Sequence, residues 1–227
     1  MTASPHTGKS RSWSRRLLKY ALLSSAAAAL ALVGLVCAIT WKPAWYRPAA
    51  VDFARLDADK AFVTSTTDRI SDALVSGRSI TVEFDEAQLN RILAARDEWP
   101  AAQEYSLGPI ADPYVDLRDG DRIRLGARAS YGSFRTVVSA VLGFVVADDV
   151  LTVRLEGAAA GAAPAPGSVL ERVALQLAEQ AGHRTADQAP GAITLINDFV
   201  WPNGRVRYRI AEIRVEESKL RLTLSPR

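Results

Sequence analysis

An uninterrupted apolar run, LLKYALLSSAAAALALVGLVCAITW at residues 17–41, constrains this chain more than any other stretch. From Tyr20 to Trp41 it carries no charge over 22 residues, and a helix needs about 20 to cross the hydrocarbon core of a bilayer. Lys9, Arg11, Arg15, Arg16 and Lys19 precede or open the run with no acid among them. The positive-inside rule then keeps this end in the cytoplasm and exports the chain beyond the run. Trp13 and Tyr20 on one side, with Trp41, Trp45 and Tyr46 on the other, fit the two interfacial aromatic belts. Lys42 and Arg47 are long enough to snorkel.

Three other readings of the run are weaker. A cleaved signal has an apolar core of about 7–15 residues and an A-x-A-like site, whereas Ala38 to Pro43 offers no such site. Cys37, the single cysteine, follows Val36, which is larger than the residue a lipobox places there. A buried core helix would not need the basic flank. The expected organisation is a basic cytoplasmic tip (1–16), a transmembrane helix (17–41), a proline-containing spacer (42–50) and an extracytoplasmic α+β domain (51–227). The location is the cell membrane, single-pass, N-terminus cytoplasmic.

This division changes the charge balance. The whole chain has 28 basic and 25 acidic residues. Removing the four basic residues of the tip and Lys19 leaves 23 against 25, so the exported part is nearly neutral and has no nucleic-acid footprint. With one cysteine no disulfide can form within the chain, and the domain must hold by burial.

Hydrophobic period organises the exported part. From Val51 to Leu74 the apolar positions Phe53, Leu56, Phe62, Val63, Ile70, Ala73 and Leu74 predict a helix, weakened at its centre by Thr64 to Thr67 and ended by Gly77. Ile80, Val82 and Phe84 predict a strand, and Asp85 an N-cap for a second helix striped by Leu89, Ile92 and Leu93, ended by Pro100. The period then shortens to two over Arg122–Tyr131, Phe134–Val146 and Val150–Glu156, with turns at Asp119-Gly120 and Asp148-Asp149. A third helix is expected over Val169–Ala181, a loop over 182–190, and strands over Ile193–Val200, Val206–Val215 and Leu220–Leu224. The phase slip between Ile210 and Ile213 predicts a bulge. The fold class is α+β, an antiparallel curved sheet packed on two or three helices behind the transmembrane helix.

Little catalytic chemistry is present. His6 lies in the tip and His183 in a loop, so no histidine pair or thiolate cluster serves a metal. No G-x-S-x-G surrounds a serine. Asp97-Glu98, Asp148-Asp149 and Glu216-Glu217 read as solvated turn residues. Neither an enzyme, a metal nor a cofactor is expected. Arg122, Arg124 and Arg128, and Arg205, Arg207 and Arg209, would form a basic strip if their strands were neighbours. The strand 134–146 is apolar on nearly both faces, covered by helices or lining a groove.

Several segments, in order, resemble the YpmS-like family of membrane-anchored extracytoplasmic proteins and, more distantly, the tubular lipid-binding (TULIP) superfamily. They are ITVEFDEAQLNRIL, YVDLRDGDRIRLGARASYG, LTVRLEGAAAGAAPAPGSVLERVALQL and VRYRIAEIRVEESKLRLTL. The resemblance implies a curved sheet around a helix with an apolar groove for an acyl chain, and no catalytic residue. The expected function is a non-enzymatic envelope protein binding or presenting a membrane lipid through Phe134, Val138, Leu142, Phe144, Leu151 and Leu155. The alternative is a tethered scaffold of a membrane protein complex.

Overall fold

In the computed structural model the described residues are 27–98, 110–168, 172, 191–201, 204 and 206–227. The basic tip, residues 17–26 of the apolar run, the expected helix over Val169–Ala181 apart from Arg172, the expected loop with His183, and Pro202, Asn203 and Arg205 lie outside them. The chain is α+β. Helix α1 covers residues 27–40. It is followed by α2 (Leu56–Val75), β1 (Ile80–Asp85), α3 (Glu86–Ala94) and a 3-10 turn, Arg96–Glu98. Strands β2 (Ile110–Arg118), β3 (Arg122–Tyr131), β4 (Phe134–Val146), β5 (Val150–Ala160) and β6 (Ala163–Pro164) come next. The last strands are β7 (Ala192–Ile196), β8 (Phe199–Val200), β9 (Arg207–Glu216) and β10 (Lys219–Pro226).

Two antiparallel sheets result, one ordered β1-β10-β9-β8, the other β2-β3-β4-β5-β6 with β7 also paired to β5. The first is covered by α2: Ile70 and Leu74 meet Val82 and Leu224 in a buried cluster, with Ile80, Phe84 and Tyr208 around it. Acids in its first turn, Asp57 and Asp59, suit the positive end of α2. Its end is a Schellman closure, in which the Gly77 N–H bonds the Leu74 carbonyl and the Arg78 N–H bonds that of Ala73. Gly77 supplies the left-handed φ of +69° this closure needs.

The Asp85 carboxylate caps α3 by accepting from the Gln88 N–H at 3.1 Å. Leu89 and Leu93 of α3 pack on Val115, Leu117 and the fully buried Val215. Asn90 fastens α3 to the edge of β2: its amide donates to the Val115 carbonyl and accepts from the Val115 N–H, both at 2.8 Å. Glu86 accepts from the Leu117 N–H at 2.8 Å. The open edge of β2 is thereby capped by side chains of a helix, one way of blocking strand addition.

Asn197 interrupts the strand expected over Ile193–Val200, and the two halves join different sheets. It is wholly buried. Its amide donates to Ala147 and Ile210 carbonyls at 3.0 and 2.8 Å and accepts from the Ile210 N–H at 2.8 Å. The slip anticipated near Ile210 is a bulge at Ala211, since Glu212 pairs with Thr223 and Ile210 with Leu224.

Among the described residues, helix α1 meets the domain at its C-terminal end, through Ala38 and Ile39. Residues 27–37 are all exposed, including Leu30, Leu32, Val33, Leu35 and Val36. A helix apolar on all sides suits an apolar surrounding rather than water. Among the described residues no helix is long and apolar enough to cross a membrane; the described part of α1, residues 27–40, is about 21 Å long.

Candidate functional site

The meander β2–β5 has two unlike faces. Residues facing each other across an antiparallel pair share a face, and alternate residues along a strand change face. Val138 faces Ala127 on β3 and Ala160 on β5, Leu142 faces Ile123 and Leu155, Phe144 faces Val153, and Val146 faces Leu151. Phe134, Val138, Leu142, Phe144, Leu151 and Leu155 therefore all lie on one face, joined there by Leu125, Val153 and Leu195. The register jumps one residue at Glu156 between the pairs Val141–Gly157 and Leu142–Leu155. That bulge keeps Leu155 and Leu151 on the same side as Leu142.

Burial along this face is graded. Leu151 is buried, Val138, Leu142, Phe144 and Leu155 are half-buried, and Phe134 and Leu125 are 39% and 40% exposed. Helix α2 packs on β1 and β10 in the other layer; β9 of that layer is what meets β4, and Ile123, on the face of Leu142, packs in the cluster around Val215. The expected third helix lies outside the described residues. Thr136 is the one polar side chain on the apolar side of β4, and its hydroxyl donates to the Ile39 carbonyl at the end of α1, at 2.6 Å.

The opposite face carries Arg122, Arg124 and Arg128 on β3 beside Val137, Val141 and Val145 on β4, and is crossed by the spacer. Two prolines predict a short, stiff, non-helical spacer over residues 42–50, with Trp45 and Tyr46 in an aromatic belt; the segment is non-helical but does not leave the domain. Instead Tyr46 is buried and packs edge-on to Trp45 and Tyr114. Its hydroxyl donates to the Asp112 carbonyl at 2.6 Å. The Trp45 ring lies over Gly126, where a Cβ would come within 2.6 Å of it. Arg124 stacks on that ring at 4.7 Å. The physical reason is local: Gly126 removes the one side chain that would hold the aromatic pair off the sheet. A glycine inside an alternating strand marks such a close approach, and it was the signal available in the sequence for this contact.

Burial pushes the Tyr46 phenol above its ordinary range, and the Asp112 carboxylate adds to this against the opposing pull of Arg128. Tyr114 is raised likewise by burial and by Glu86. Arg124 is lowered by burial first and by Arg118 next.

The arginines of β3 and β9 do not form one strip, because these strands belong to different sheets. Arg122 pairs with Glu156 at 2.7 Å, Arg124 with Asp116 at 3.6 Å and Arg128 with Asp112 at 2.6 Å. Arg207 pairs with Asp198 at 3.2 Å and Arg209 with Asp148 at 2.8 Å. An open cleft of about 650 Å³ at the β2–β3 turn is lined by Trp45, Arg118, Arg122 and Arg124 with Asp116, Asp119 and Glu217, so its charges balance. The Asp119-Gly120-Asp121 turn serves the fold: Asp121 accepts from the Val215 N–H at 3.0 Å.

No family model, no curated protein and no solved structure matches this chain.

Proposed function

We propose that this chain is a single-pass envelope protein, non-enzymatic, whose extracytoplasmic domain binds or presents a lipid-like apolar ligand on the Phe134 face of the meander. The observation that carries the reading is the gathering of Phe134, Val138, Leu142, Phe144, Leu151 and Leu155 on one face that grades from buried at Leu151 to exposed at Phe134. Ligand sites for apolar molecules are built from such surfaces. The basic tip, the apolar run and the exposed side chains of α1 support an anchor in the cell membrane. A membrane lipid is then the nearest ligand, in keeping with the resemblance to YpmS-like and TULIP proteins. A tethered scaffold draws less support, because the arginines of β3, together with Arg207 and Arg209, are matched by acids and the β2 edge is capped.

The test is native mass spectrometry of the full chain purified with a membrane lipid extract, beside Leu142→Asp. Lipid around α1 would be common to both. The expected result is one further lipid retained by the parent chain and lost from the variant. Equal lipid content in the two would refute the reading.

A further inference from the structure

The end of α1 is locked into the sheet, and the lock fixes which part of the domain lies nearest to the helix. The Ala162 N–H donates to the Ala38 carbonyl at 2.7 Å, and the Thr136 hydroxyl donates to the Ile39 carbonyl at 2.6 Å. These carbonyls belong to the last turn of α1, whose acceptors have no partner within the helix. Gly161, at φ +61°, lies directly against them: a Cβ there would stand 2.3 Å from the Ile39 oxygen and 2.4 Å from that of Ala38. The spacer then runs onto the arginine-bearing face and is clasped there through Tyr46. A flexible tether would show neither feature.

Phe134 is two residues from Thr136 along an extended strand, about 7 Å away. The interfacial layer on each side of a bilayer is about 5–8 Å deep. If α1 leaves the hydrocarbon near Trp41, then Phe134 lies within reach of this layer in whatever direction β4 runs. The residues found there suit it: Trp41 and Phe134 are exposed aromatics, and Lys42 and Arg135 are exposed cations beside them. Aromatic rings and snorkelling cations are the groups that settle at a membrane–water boundary.

We propose that the β3–β4 hairpin tip, residues 131–135, is a second membrane contact: Phe134 and Arg135 rest in the lipid headgroup layer beside the exit of α1, and the apolar face opens onto the bilayer at this end. The proposal rests on the anchored reading above and adds a defined orientation to it. In this orientation the Asp148-Asp149 turn, at the other end of β4 and about 40 Å from the tip, lies away from the lipid.

Depth-dependent fluorescence quenching tests it on the full chain. In a Cys37→Ser background, a polarity-sensitive probe is attached at Ser133→Cys or at Asp148→Cys, both exposed positions. The chain is reconstituted in phosphatidylcholine–phosphatidylglycerol vesicles containing headgroup-level spin-labelled lipid. The probe at 133 should be quenched several-fold more than the probe at 148, and adding Phe134→Asp should shrink the difference. Equal quenching at the two positions in vesicle-bound chain would overturn the contact and leave the anchor standing. Failure of the chain to float with the vesicles would overturn both.

Discussion

Gly161 and Asn197 each join elements that are distant in the sequence, and neither is conspicuous in it. Gly161 allows the α1 carbonyls to approach the β5–β6 turn, and its φ of +61° is one that larger residues rarely adopt. Gly161→Val should destabilise the domain by about 2–3 kcal/mol through strain and the lost contact. Gly157→Ala, where a Cβ meets open space, should be neutral or slightly stabilising. Urea unfolding followed by tryptophan fluorescence compares the two. Asn197 joins the sheets through bonds to Ala147 and to both backbone groups of Ile210. Asn197→Ala would leave that buried backbone unpaired and should cost about 2–4 kcal/mol, read in the same titration.

Elements whose pattern is periodic were legible: β1, β3, β4, the slip at Ala211 and the Asp85 cap follow apolar spacing or turn residues, while α2 starts at Leu56 rather than Val51, leaving Phe53 exposed before it, and α3 ends at Ala94, short of Pro100. The common face of the six candidate residues was legible only in part, because it depends on the bulge at Glu156 as well as on alternation within each strand. Strand β2 was harder to read, since Asp112 at φ +50° and Pro113 break its alternation where the register shifts. Packing of the spacer and the break at Asn197 depend on partners far along the chain, which no local period encodes. The cap on β2 is of this kind and carries its own prediction. Asn90→Ala removes three hydrogen bonds, two of them to Val115, and should destabilise by about 2–3 kcal/mol. It should also open the edge to strand addition, seen as a concentration-dependent shift to larger species by size-exclusion chromatography. A variant that is destabilised but strictly monodisperse would show that the edge is protected by something else.

At the scale of the whole molecule, the lock on α1, the clasp of the spacer and the capped β2 edge lie along one path from the end of α1 across the β2–β6 sheet to α3. The clasp contains two tyrosines whose environment disfavours ionisation, so this path has a characteristic response to alkali. Tyr46 and Tyr114 are raised by burial and then by the carboxylates of Asp112 and Glu86, and Tyr208 in the core of the first sheet is raised by burial. A phenol raised in the fold loses its proton first in the unfolded chain. Its contribution is therefore complete below the unfolded value of about 10 and is lost as pH rises through the folded values. Stability should stay level on account of these groups from neutrality to about pH 10 and fall beyond it. Tyr46→Phe separates the clasp from the rest. It forgoes the bond to the Asp112 carbonyl, costing about 0.5–1.5 kcal/mol at neutral pH, yet should lose less than the parent chain between pH 9.5 and 11. Urea unfolding across that range measures both slopes, and an unchanged alkaline slope in Tyr46→Phe would remove Tyr46 from this account.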